Sequence, residues 1–281
     1  MRYAAFLLLL CACTSLSTEE RDALALHQRN AKHYWEGGRL DQAMGQIEKG
    51  LELEPDDYSL NVLKGVILLK TSASSQGTDH RRLDEATALL AKIYDERAAN
   101  RHEPSLLLSH GLALQKQGRR HLGEALRLRG EATRSLTPVP LQEEAERHEA
   151  AAKEQLEAAA EVLGVLLDRG ELVRLTRYHL LLIAQDRKDD VAFAEHAKKY
   201  LEQMDKEQEF VKKQTEKTLQ LGFEHERAKD LRTLKTEEME VRGLLAEHHY
   251  TRKQFKEAQA MLDKVLEIGR ASCRERVSEC V

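Results

Sequence analysis

The sequence predicts an all-α chain of paired helices stacked as an elongated solenoid, and three observations predict it. Charged residues make up 33% and aromatics 5% of 281 residues, with only 4 prolines, a composition that suits solvated helices on an Ala/Leu frame. The stretch Asn30 to Pro55, NAKHYWEGGRLDQAMGQIEKGLELEP, reads as two short amphipathic helices joined by a glycine-bearing turn and closed by proline. The same spacing returns without gaps at Leu245 to Ile268, LAEHHYTRKQFKEAQAMLDKVLEI. Ala31 falls on Ala246, Tyr34-Trp35 on His249-Tyr250, Leu40 on Phe255, Ala43 on Ala258, Ile47 on Leu262, Leu51 on Leu266 and Leu53 on Ile268. A helical hairpin cannot cover its own apolar stripe, so such units bury it by stacking on neighbours.

The chain begins MRYAAFLLLLCAC, with Arg2 ahead of an apolar run from Ala4 to Ala12. That run is too short to span a bilayer and reads as an export signal. Its end, Leu10-Cys11-Ala12-Cys13, resembles the bacterial lipobox, a leucine and two small residues before a lipidated cysteine. The resemblance implies a signal peptide over 1–12, lipidation at Cys13, a tether over 13–22, and, because Thr14 rather than aspartate follows, the outer membrane. The other reading is simple secretion with cleavage nearby. The remaining cysteines are Cys273 and Cys280, so nothing between Thr14 and Ser272 can form a disulfide framework, a thiolate nucleophile or a cysteine zinc site.

In the first hairpin, Gly37-Gly38 is expected to end the leading helix, since glycine takes the left-handed conformation that helix C-termini use. Glu54-Pro55 is expected to stop the second, because proline disfavours helix in the residue before it. Ala31 and Ala43 would face each other where the two helices come close, and Leu40, Ile47 and Leu51 form the stripe that a neighbour covers. These positions resemble the tetratricopeptide repeat (TPR), with small residues at its eighth and twentieth positions, an aromatic at the eleventh and proline at the thirty-second. The resemblance implies a TPR-like helical-hairpin solenoid over 23–267, one elongated domain with degenerate repeats and a longer-helix middle section.

A second repeat is expected from Tyr58, with Gly65 in the small eighth position. Its turn is stretched by the polar loop Thr71 to Asp79 before Leu83, Ala86, Leu90 and Ile93 resume the helical stripe. A third hairpin is expected after Pro104, with Gly111 and Gly118 in register and Leu122-Ala125 displaced by two residues. Leu136 to Pro140 breaks the chain. Gln142 to Asp168 then reads as one long helix with Ala145, Ala152, Leu156, Ala159, Leu163 and Leu166 on its buried stripe. Glu171–Ala184 and Val191–Met204 form a further degenerate hairpin, and Phe210 to His248 is helix broken near Gly222. Ile268 to Val277, IGRASCRERV, resembles a sequencing-adapter stretch read in frame, and Arg270 stands where the last repeat would carry its proline. Residues 268–281 are therefore set aside from fold reasoning, and the natural chain is expected to continue.

In TPR proteins the leading helices line a concave groove, and the twelfth repeat position commonly faces it. That position holds Trp35, the only tryptophan, and Tyr250. The register adds Gln28, Lys32 and Glu36 beside Trp35, and Glu247 and Thr251 beside Tyr250. Aromatic anchors among polar neighbours suit a peptide-binding surface; the alternative is that Trp35 only packs between repeats.

Other chemistries find little footing. A net charge of −4 gives no electrostatic case for nucleic acid. Arg120, Glu124, Arg127, Glu131 and Arg134 alternate in sign at helical steps, a self-neutralising ladder on a solvated face. None of the 12 histidines has the spacing of a di-iron bundle or of His-Glu-x-x-His, and His248-His249 would point about 100° apart on a helix. No glycine-rich phosphate loop or Gly-x-Ser-x-Gly elbow occurs. The expectation is a non-enzymatic envelope lipoprotein facing the periplasm, without cofactor, metal or small-molecule substrate. Its TPR scaffold would hold a protein or peptide, as in assembly of an envelope machine. Alternatives are an accessory that recruits a cell-wall-acting enzyme, and a catalytic protein whose active residues lie beyond residue 268.

Overall fold

Ser17 opens the first helix of the computed structural model, which describes residues 16–74, 77–96, 103–218 and 224–279. The export signal, Cys13 and the break expected near Gly222 lie outside these residues. Among the described residues the architecture is all-α, with ten helices and one pair of two-residue strands. The chain divides into two compact units, one up to Ala113 and one from Leu114 onward.

In the first unit, helix α1 (Thr18–Glu36) starts at a capping box. The Glu20 amide donates to Ser17 Oγ at 3.2 Å and the Ser17 amide donates to Glu20 Oε2 at 2.8 Å, satisfying two donors that a helix start leaves free. The helix ends with Gly38 at φ +71°, its amide donating to the Trp35 carbonyl while the Arg39 amide donates to that of Tyr34. This paired closure is the Schellman motif, and glycine takes its left-handed residue without strain. Helix α2 (Leu40–Leu53) runs until Glu54 turns extended ahead of Pro55, as proline requires. Asp57 then caps α3 (Tyr58–Thr71), accepting from the Leu60 amide at 2.8 Å.

Packing follows the small residues. Ala31 and Ala43 are fully buried between α1 and α2, and Ile47, Leu60 and Ile67 complete that core with Leu40 and Leu51 at its margin. The polar loop closes through β1 (Ala73–Ser74) and β2 (Gly77–Thr78), antiparallel, before α4 (His80–Glu96). Gly65 faces α4 so closely that a Cβ there would stand 2.8 Å from Leu90 Cγ. Leu83, Ala86, Leu90 and Leu106 fill the core beneath.

Helix α5 (Pro104–Ala132) corrects one expectation. It is a single helix of 29 residues with no turn between Gly118 and Leu122, so no third hairpin forms there. The reason is packing within the second unit. A Cβ on Gly118 would lie 2.7 Å from Leu156 Cγ and 3.3 Å from the Ala152 carbonyl, so this glycine admits a neighbouring helix instead of turning the chain. That neighbour is α6 (Pro138–Asp168), whose stripe of Ala145, Ala152, Leu156, Ala159, Leu163 and Leu166 is buried as the periodicity predicts. Gly118→Val is expected to cost the second unit about 1–3 kcal/mol through overpacking, read from the urea midpoint of its helical circular dichroism; an unchanged midpoint would refute the close approach.

The second unit continues with α7 (Val173–Asp186), α8 (Asp190–Thr218), α9 (Glu224–Thr251) and α10 (Phe255–Glu279). Two of its three-residue connections repeat the α1–α2 closure, as does the four-residue α6–α7 connection at Gly170, φ 69°. Lys188, at φ 55°, donates to the Gln185 carbonyl and Asp189 to that of Ala184; Lys253, at φ 62°, donates to Tyr250 and Gln254 to His249. The α1–α2, α7–α8 and α9–α10 connections are each three residues long, and Lys253 stands where the gap-free alignment places Gly38. Phe193, Ala197, Tyr200, Met204, Leu234, Val241 and Leu245 form the core shared by α8 and α9.

Candidate binding groove

The leading helices α1 and α3 and the start of α5 enclose a concavity of about 690 Å³ in the first unit. Its floor is apolar, from Leu60, Val62, Leu63, Val66 and Leu108, with the buried Ser109; its polar rim comes from Gln28, Arg29, Lys32, Ser59, Glu103 and Ser105. The capping aspartate helps set this geometry. One carboxylate oxygen of Asp57 caps α3, and the other accepts from Gln28 Nε2 at 2.8 Å, which ties the middle of α1 to the start of α3.

Of the residues expected from the register, Gln28, Lys32 and Trp35 line this groove. Trp35 is half-buried, packed at the margin of the α1–α3 core while lining the concavity. The Lys70 ammonium lies 4.7 Å from its ring centroid, a cation–π contact that orients the indole and places positive charge beside it. Glu36 is not among the lining residues; it sits in an exposed pair with Lys32 at 3.9 Å. The remaining candidates belong to the second unit. Tyr250 is exposed, its ring edge-on to Phe255 at 5.6 Å, Thr251 donates its hydroxyl to the His248 carbonyl at 2.9 Å, and Glu247 faces solvent. The α3 and α5 contributions went unnamed in the sequence reading, although projecting the groove positions onto the second and third repeats would have reached them.

The second unit holds a smaller concavity of about 290 Å³ that the sequence reading missed, lined by Arg174, Leu175, Tyr178, His179, Tyr200, Glu237 and Glu240. Arg174 pairs with Glu207 at 2.9 Å and with Glu237, which also accepts from the Tyr200 hydroxyl at 3.0 Å. The Tyr178 hydroxyl donates to Glu240 Oε1 at 2.6 Å. Burial pushes the Tyr178 phenol up to about 12, and Glu240 adds to the shift. Burial also holds His179 down to about 4, with Arg119 adding to it, and its Nδ1–H donates to Gln115 Oε1 at 2.9 Å. These polar groups serve one another across α5, α7, α8 and α9, so the cluster reads as an inter-helix tie.

The arginine ladder is paired as its spacing suggests, Arg127 with both Glu124 and Glu131, while Arg129 reaches Glu149 of α6 at 2.7 Å. His248 stacks on Phe193 at 4.5 Å, and His121 meets His148 at 2.9 Å between ring nitrogens. Among the described residues, no group of three His, Cys, Asp or Glu side chains is arranged to hold a metal. No described helix is long and apolar enough to cross a membrane. Comparison of the chain with protein-family models, with curated proteins and with solved structures gave no match.

Proposed function

We propose that this chain is a TPR-type protein-binding scaffold, held at the outer membrane through Cys13 and facing the periplasm. The single observation behind the binding role is the groove of the first unit, an apolar floor rimmed by polar side chains and walled by the one tryptophan. Burying a side chain of the partner on Leu63 and Val66 would supply affinity, and the rim would select orientation. The lipobox resemblance at Leu10 to Cys13 supports the anchoring, and a lipid anchor would raise the local concentration of the scaffold. The protein is a holder and not a catalyst on this reading.

A photo-crosslinking residue placed at Leu63 in living cells tests the groove, with Leu126, an exposed residue of α5, as the control position. The expected result is a discrete adduct at 63, absent at 126, that Trp35→Ala reduces about tenfold or more, as loss of an aromatic anchor does. Equal labelling at both positions, or an adduct indifferent to Trp35→Ala, would refute the groove. The identity of the adduct separates a client of envelope assembly from a cell-wall-acting enzyme.

A further inference from the structure

Two unlike charges border the apolar floor of the first unit's groove, and neither has an ion-pair partner among the described residues. Arg29 of α1 donates its Nε to the Ala25 carbonyl at 3.4 Å, and Glu103, just ahead of α5, accepts from the Ser105 hydroxyl at 2.6 Å. They stand on opposite sides of α3. Leu60 and Ile67 of α3 pack into the core of α1 and α2, while its Val62, Leu68 and Leu69 pack with α4 and with Leu106 of α5. Lys32, one turn beyond Arg29, adds a second cation on the α1 side, where its exposed contact with Glu36 spans 3.9 Å. The nearby Asp57 carboxylate already accepts from the Leu60 amide and from Gln28. The unpaired charge is thus cationic along α1 and anionic at α5.

Resting on the binding role of this groove, we propose that its occupant is an amphipathic α-helix, with an acidic flank toward α1 and a basic flank toward Glu103. Width favours a helix. α3, which separates α1 from α5, is about 10 Å across with its side chains, and a helix lying over it reaches both sides. An extended segment occupies only about 4.8 Å in the plane of a sheet, so it reaches one side. It also finds no strand edge to pair with, since helices wall the groove. Length agrees. The α3 part of the floor runs from Leu60 to Val66, about 9 Å along the helix axis. An apolar ridge at i, i+3 and i+7 of the occupant covers about 10 Å. Unlike charges on the two flanks also fix its direction, because turning the helix end for end would set acid against Glu103 and base against Arg29.

Display selection of a random-peptide library on the purified full chain in detergent tests this. The Trp35→Ala chain serves as counter-selection, and helical circular dichroism checks folding. Peptides retained by the parent chain alone are expected to carry apolar residues at helical spacing between an acidic and a basic flank. Arg29→Glu is expected to weaken such a peptide about fivefold, the scale of an exposed ion pair, and lysine in its acidic flank to restore it. Glu103→Lys is expected to act likewise, with glutamate in the basic flank as the rescue. Enriched peptides of alternating or proline-rich pattern, or ones that require a free C-terminal carboxylate, would overturn the helical occupant and leave the groove a binding site. Charge reversals without effect would do the same. Equal retention by the parent and Trp35→Ala chains would overturn both readings.

Discussion

Phe193→Ala is expected to lower the stability of the second unit by about 3–5 kcal/mol, the usual loss when a buried phenylalanine is cut to alanine. The residue is 1% exposed and lies in the core that joins α7, α8 and α9. Its ring stacks on His248 at 4.5 Å with 29° between planes, so truncation empties the space beneath a second ring as well. Residual cavity volume decides where in the range the loss falls. Denaturant titration followed by helical circular dichroism measures it, and Phe193→Leu, which keeps most of the volume, should lose about 1 kcal/mol. A loss below 1 kcal/mol for the alanine variant would mean that these helices do not share one packed interior.

Acidification is expected to weaken the second unit between about pH 6.5 and pH 4. His179 is held neutral, its folded value near 4 against an ordinary 6.5, chiefly because burial penalises the charged ring. The folded value lies below the unfolded one, so the unfolded chain binds the extra proton in this window. The stabilisation is complete above pH 6.5 and is lost as pH falls through the folded value. Between pH 7 and pH 4.5 this one group is expected to account for about 2–3 kcal/mol. His196 and His248 are lowered by burial as well and act in the same direction. His179→Gln, which keeps a donor for Gln115, should flatten the pH dependence of the urea midpoint over this interval. An equal slope in parent and variant would show that His179 titrates normally in the folded protein.

How far the sequence reached depended on whether a local signal existed. The first hairpin carried its own punctuation: Gly38 occupies the left-handed turn position and Pro55 ends α2, and both act through steric limits on a single residue. The later turns place Lys188 and Lys253 in the same conformation, where a side chain costs roughly 1–2 kcal/mol; only register located them. Gly118 misled because a glycine in a helical pattern signals a turn and a close helix contact alike. Nothing within the α5 sequence separates the two, and Leu156 of α6, 38 positions away, decides it. Arg174 and Glu237 are partners 63 positions apart, and charge-rich helices offer each too many candidates.

By itself, then, the sequence determined the helical character of the chain, its main helix ends and the buried stripes of α2 and α6, because periodicity and backbone sterics act within a few residues. Tertiary structure alone decided that α5 runs unbroken and that Trp35 shares a groove with α3 and α5. Each of those depends on which surface arrives opposite, and a helix pattern specifies the face to be buried but not the neighbour that buries it.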